Sequence, residues 1–299
     1  AVIMTDLVQG ILLLVAGIVV LVLGITYVGD HAGTGLSAPA AFWQGLPPSH
    51  RLPFSGFSSP DAFPMAGIFW QDLFGASMFF YFGNQGLILR FLSVKSVREG
   101  RKAFIVVILV MMPLAAIAVS GAGWVGRSMQ TFGLVPEATD PNEIFMAVTA
   151  AVTRPGIFGF VLAALTAALM STVDTLINAV SAIAVNDIWK PLVAPGKSDR
   201  HYLGVARVSS VVFALAGLLL VPVFMKHESI YVAHGSFTAA ISPPLIVVII
   251  LGILWKRFSP RAAFATLLGG GLVVGRSLWA PGMIGPLADL HGMGPGEGY

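Results

Sequence analysis

The stretch that decides the fold is "GIFGFVLAALTAALMSTVDTLINAVSAIAV", residues 156–185. A helix rises about 1.5 Å per residue and needs about 20 apolar residues to cross about 30 Å of hydrocarbon. This run therefore spans a bilayer, and its continuity favours a helix over an alternating barrel strand. Yet Ser171, Thr172, Asp174, Thr175 and Asn178 fall within it. At about 100° per residue, Ser171, Asp174, Thr175 and Asn178 share one stripe, with Thr172 at its edge. Leu169, Val173, Leu176 and Ile177 keep the opposite face. The polar groups are therefore expected to look into the protein. For the hydroxyls, a bond to a carbonyl one turn back or to a neighbouring helix is as good an account as a ligand. Asp174 tips the balance, because an ionised Asp at mid-bilayer costs about 2.5–3.5 kcal/mol even on mild insertion scales.

Composition agrees with a membrane setting. The 299 residues are 56% hydrophobic and 10% charged, with mean hydropathy +0.86, whereas soluble domains carry about 25% charged residues. Cysteine is absent, so there is no disulfide framework and no thiolate metal site. The net charge is +3 and the pI about 9.3. The basic residues lie in short runs between apolar segments rather than on one face, which excludes a nucleic-acid reading and fits membrane orientation. The start lacks a Met and a loop before its first apolar run, and the end is Gly-rich, so the chain reads as a piece of a longer one.

Seven segments are long enough to span, approximately 2–28, 65–89, 103–124, 156–185, 203–225, 229–255 and 262–281. The loop after the second holds Arg90, Lys95, Arg98, Arg101 and Lys102 against Glu99. The loop after the fourth holds Lys190, Lys197 and Arg200 against Asp187 and Asp199; that after the sixth holds Lys256, Arg257 and Arg261 without an acid. The remaining loops are neutral or acidic. This alternation places the second, fourth and sixth loops on the cytoplasmic side. The outer loop 29–64 is rich in Gly, Pro and Ser and is read as irregular. In "DPNEIFMAVTAAV", residues 140–152, an Asp–Pro start before an apolar helical run predicts a short helix over the outer face.

A second acid lies in "MTDLVQ", where Thr5, Asp6 and Gln9 form a small polar face. The first span runs outward and the fourth inward, so Asp6 and Asp174 share the cytoplasmic half of the membrane. Two carboxylates meet there only if one is protonated or a cation lies between them. No basic residue stands at that depth, which favours an exchangeable cation. Hydroxyl, carboxylate and carbonyl oxygens suit a hard cation such as Na⁺.

Two other spans read as broken. The second holds "FYFGNQG", residues 80–86, and the sixth "HGSFTAAISPP", residues 234–244. Pro243 and Pro244 leave the carbonyls of Ala239 and Ala240 without helical donors. Discontinuous helices at membrane depth point to a transporter's binding site, although a simple proline kink accounts for the sixth span equally well. The substrate or gate candidates are accordingly Ser77, Phe80, Tyr81, Asn84, Gln85, His234 and Ser236. "GAGWVG", residues 121–126, has the spacing of a dinucleotide loop, but it follows a membrane helix instead of a strand. No nucleophile elbow, Walker loop or zinc signature is present, and an enzyme is not indicated.

"MTDLVQ", "FYFGNQGLILRFLSVKSVREGRKA", "AALMSTVDTLINAVSAIAVNDIWKPL" and "SPPLIVVIILGILWKR" together resemble the sodium:solute symporter family, whose members include sodium/glucose and related cotransporters. The resemblance covers nearly the whole chain, with the four motifs in order. It implies an all-α integral membrane protein whose seven transmembrane helices form the later part of a LeuT-type inverted-repeat core. On that reading residues 1–28 are the last helix of the first repeat, 29–64 an extracellular loop, 65–255 the second five-helix repeat, and 256–299 an additional helix and extracellular tail. The family's sodium contacts fall on the Ala168 carbonyl and the Ser171 and Thr172 hydroxyls, the other ligands coming from a helix this chain lacks. Asp6 matches the acid on the ion's inward route, Thr175 lies near a second sodium site of some members, and Asp174 adds an acid beside it.

Ser77 stands where sugar carriers have an amide and Phe80 where they have a gating Tyr, and the third span lacks their Lys. The solute is left open. The implied activity is sodium-coupled import of a small polar organic solute by alternating access in the plasma membrane, with Na⁺ as coupling ion and the lipid bilayer as surroundings. The oligomeric state is open too. Two alternatives stand beside it: a solute-sensing module of a signalling protein, and coupling to protons through Asp6 and Asp174.

Overall fold

Long apolar runs make the first elements. A computed structural model of the chain describes residues 2–51, 84, 86, 88, 93–225 and 230–279. Helix α1, Val2–His31, takes up the whole first run and ends where His31 Nδ1 meets the Tyr27 carbonyl at 2.9 Å. Two short helices follow, α2 (Ala38–Gly45) and α3 (Pro48–Arg51). They correct the reading of 29–64 as irregular. Prolines near a helix start lose no bond, because the first N–H groups of a helix have no partner anyway. Here Pro39 opens α2 and Pro48 opens α3, so the residues read as breakers act as starters.

Helix α4 runs Val97–Thr131. Ser96 caps it, its Oγ accepting the Glu99 N–H at 3.3 Å, in the Ser-x-x-Glu spacing of a capping box. It ends at Gly133, whose φ of 68° lets Leu134 N–H reach Met129 O at 2.8 Å and Gly133 N–H reach Gln130 O at 3.0 Å, the paired bonds of a Schellman close. Helix α5, Ile144–Val152, is the short helix expected after the third span. It is entered through Asp140, whose carboxylate accepts the Asn142 N–H at 2.7 Å. Helix α6 spans Pro155–Val193 and α7 Asp199–Phe224. Helix α8 is Ile230–Leu254 and α9 Pro260–Trp279. All regular structure among the described residues is helical. Four of these helices, α1, α4, α6 and α7, are long and apolar enough there to cross a membrane. The second predicted span falls outside the described residues except for Asn84, Gly86 and Ile88, where Ile88 N–H closes a helical turn on the Asn84 carbonyl at 3.0 Å.

Two helices widen into π-helical turns, at Val107–Met111 in α4 and Ala184–Val193 in α6. Each lies beside a proline. Pro113 and Pro191 have no N–H, so the carbonyls of Leu109 and Asp187 lose their usual donors and the turn opens. The Ala194 N–H then reaches back five residues to Trp189 O at 2.9 Å.

The described residues fall into two units, one of residues 1–52 and 89–221, the other of 53–88 and 222–299. In the first unit α1 packs on α4, α6, α5 and α2. Lipid is as apolar as a Leu side chain, so close backbone approach rather than water exclusion holds membrane helices together. Gly17 and Gly24, two turns apart on α1, supply that approach. A Cβ on Gly17 would stand 2.5 Å from the Ala118 carbonyl oxygen, and one on Gly24 2.5 Å from a Val125 methyl. Around this crossing Ala16, Val20, Ala122, Val125, Val161 and Ala164 are buried. The buried Ser128 hydroxyl ties α2 down, donating to Phe42 O at 3.1 Å.

In the second unit α8 packs against α9. Its helix runs unbroken through Pro243 and Pro244, so the expected break in the sixth span is not there. Pro244 is buried and lies over Gly270 of α9, where a Cβ would meet its ring at 2.9 Å. Pro244 serves as a packing knob, whereas Pro243 is exposed; missing N–H groups of this kind are tolerated in membrane helices.

Candidate functional site

The polar stripe in the middle of α6 meets the first turns of α1 through Ser171. Most threonines on these helices bond back along their own helix. Thr26 donates to Val22 O at 2.6 Å, Thr149 to Phe145 O at 2.7 Å, and Thr166 to Leu162 O at 2.9 Å. This is the usual way to satisfy a hydroxyl without water. Ser171 departs from it: its Oγ crosses to α1 and donates to Asp6 Oδ1 at 2.6 Å. Both residues are half-buried. That length is in the range of hydroxyl-to-carboxylate bonds, about 2.5–2.7 Å, which are roughly twice as strong as neutral ones. With its proton committed to Asp6, the Ser171 oxygen turns only lone pairs elsewhere, the state a cation ligand needs.

One residue on, Thr172 Oγ1 donates to the Ala168 carbonyl at 3.2 Å. This is the bland back-bond that the sequence left open. It also sets two hard oxygens side by side. The donor set of Ala168, Ser171 and Thr172 fits a small hard cation by atom type, the Thr172 hydroxyl turning off its back-bond to offer lone pairs.

The stripe is not turned wholly inward. Ser171 and Thr175 are half-buried, whereas Thr172, Asp174 and Asn178 are exposed. The stripe is wider than the line along which α6 touches α1, so its flank lies open. Asp174 is held along its own helix, its Oδ1 accepting from Asn178 Nδ2 at 3.0 Å. The structure thus brings Asp6 to Ser171 across two helices. Further along the helix, the buried Ser181 hydroxyl meets Ser210 Oγ of α7 at 2.9 Å. The sequence reading missed this link, although the spacing of Ser181 one turn beyond Asn178 was a signal for it.

The candidates for the solute are placed less fully. Ser77, Phe80, Tyr81 and Gln85 lie outside the described residues; Asn84 is described as the start of a turn. His234 and Ser236 stand on the continuous backbone of α8, and their side chains lie outside the description.

The comparison with known proteins bears on this seam. The sodium:solute symporter family matches residues 1–270, and the chain belongs to that family. It is 26% identical over 280 residues to the sodium/glucose cotransporter of Vibrio parahaemolyticus, covering 88% of this chain and 50% of that protein. It is 28% identical to the high-affinity proline transporter PutP of Bacillus subtilis (strain 168), over 92% of this chain and 54% of the relative. A sodium/proline symporter of Staphylococcus aureus (strain USA300 / TCH1516) is 26% identical over 97% of this chain and 53% of its own length. The chain therefore spans about half the length of the curated relatives it matches. Its family is one of symporters, not enzymes, and the chain is part of a multi-pass membrane protein.

Proposed function

We propose, from this family membership, that the chain is part of a sodium-coupled symporter that imports a small polar organic solute by alternating access. The observation that carries the reading is the Ser171–Asp6 bond, which leaves the Ser171 lone pairs open. Na⁺ binds to the Ala168 carbonyl and the Ser171 and Thr172 hydroxyls, with further oxygens from elsewhere in the protein. Asp6 polarises Ser171 and gives the ion its next oxygen on the way inward; Thr175 and Asp174 line the same route. The seven spans form the later part of a LeuT-type core, and the solute binds near the second and sixth of them.

The energetics suffice. One charge falling through 100 mV releases about 2.3 kcal/mol, roughly fifty-fold in accumulation before any Na⁺ gradient is counted. The relatives' names make glucose and proline the first solutes to try. The test is uptake by the full-length protein in sealed proteoliposomes with an imposed Na⁺ gradient. Ser171→Ala or Thr172→Ala should raise the Na⁺ needed for half-maximal uptake by about tenfold, the loss of one oxygen ligand. Uptake driven by an acid exterior and indifferent to Na⁺ would select the proton-coupled alternative.

A further inference from the structure

A groove of about 670 Å³ lies along the first two turns of α4, within the roughly 300–1,000 Å³ of small-molecule sites. Its floor is Gly100, above which Val94 folds back so closely that a Cβ there would stand 3.3 Å from a Val94 methyl. Val97, Phe104 and Ile105 form its apolar walls and Arg101 its polar edge. Val97 is 75% exposed and Ile105 56%. The groove opens along α4 onto Val106, Ile108 and Leu109, all exposed as well.

Charge and depth say what fits it. Residues 103–126 contain no charged side chain and cover about 36 Å at 1.5 Å per residue. Arg101 and Lys102 are therefore the last charges before hydrocarbon, at headgroup level. Lys95, Arg98, Arg101 and Lys102 face a single acid, Glu99. Glu99 is taken by Lys102 at 2.9 Å, and no other ion pair is formed among the described residues. Arg101 thus lines an apolar trough, with Lys95 and Arg98 close by in the chain, on the side to which the alternation of basic loops assigns the cytoplasm.

We propose that this groove binds an anionic phospholipid of the cytoplasmic leaflet, its phosphate against Arg101 and Arg98 and one acyl chain along Val97, Phe104 and Ile105. An arginine fork matches a phosphate in two bonds, and the basic residues match the charge of the inner leaflet. The proposal needs only the membrane setting and is independent of the coupling ion.

The test is native mass spectrometry of the full-length protein taken from nanodiscs of equal phosphatidylglycerol and phosphatidylcholine. Phosphatidylglycerol should be retained in preference. Arg98→Gln with Arg101→Gln should cut that retention by roughly ten- to thirtyfold, as expected for two charges near an anionic surface. Arg101→Gln alone is the milder variant, expected to lose part of it. Lys197→Gln with Arg200→Gln, which removes equal charge from the α6–α7 loop, should leave retention unchanged. Equal retention of the two lipids overturns the proposal, and so does an equal loss from the α6–α7 variant, which would mark general surface charge. Displacement of the lipid by millimolar inorganic phosphate would show a free-anion site and overturn it too.

Discussion

Removing Asp6 should weaken sodium coupling through Ser171, although the Asp6 carboxylate lies on another helix. The Ser171 Oγ to Asp6 Oδ1 distance of 2.6 Å marks a strong bond, and bonds to charged groups contribute about 1.5–3 kcal/mol. Both residues are half-buried, so the lower end applies, about 1.5 kcal/mol or tenfold. Without Asp6 the Ser171 hydroxyl is free to bond back along α6, as Thr166 does, and its lone pairs leave the ion. Asp6→Ala should therefore raise half-saturating Na⁺ by about tenfold in a protein that retains Ser171. In the Ser171→Ala background the same change should do much less. The assay is a double-mutant cycle on the Na⁺ dependence of uptake at low solute, using wild type, both single variants and the double variant in proteoliposomes. Coupling of about 1–1.5 kcal/mol is expected; effects that add within about 0.5 kcal/mol, as independent sites do, would refute the reasoning.

Gly17→Ala should lower the thermal midpoint of the purified protein, because its Cβ would press on the Ala118 carbonyl at 2.5 Å at a cost of about 1–3 kcal/mol. Gly10→Ala, where nothing lies within 4 Å, should leave the midpoint unchanged when both are followed by fluorescence size exclusion. Tyr202→Phe removes a hydroxyl that donates to Ala194 O and accepts from Lys197 N–H, both at 2.9 Å. Hydrogen exchange should then speed up several-fold at Lys197, with about 1–2 kcal/mol of local stability lost. Glu99→Gln should change stability by less than about 0.5 kcal/mol, since the Lys102 pair is an exposed i,i+3 contact; a larger drop in midpoint would contradict that assignment.

Much of this protein could be read along the chain. In lipid every backbone N–H and C=O must be satisfied within its own segment, so long apolar runs fix helices by length alone. Four of the predicted spans recur as α1, α4, α6 and α7, long and apolar enough to cross a membrane, and the segments 229–255 and 262–281 recur as helices α8 and α9. The short helix α5 was legible for the same local reason, an Asp–Pro start before an apolar turn. The errors came at prolines. Pro39 and Pro48 open helices in a segment read as irregular, and Pro243 and Pro244 sit inside a continuous one. A proline's local effect is fixed, but whether it starts, widens or merely bumps a helix depends on what packs beside it.

The site divides along the same line. Sequence alone determined that Ser171, Asp174, Thr175 and Asn178 share a stripe with Thr172 at its edge, because helical periodicity needs only residue numbers. From charge alternation it also led to the expectation that Asp6 and Asp174 share one half of the membrane. Only the tertiary structure decided that Asp6 reaches Ser171, while Asp174 pairs with Asn178 on its own helix. That choice rests on where α1 packs against α6. A spacing rule reaches one or two turns along a helix; a bond between residues 165 positions apart exists only once the packing has brought them together.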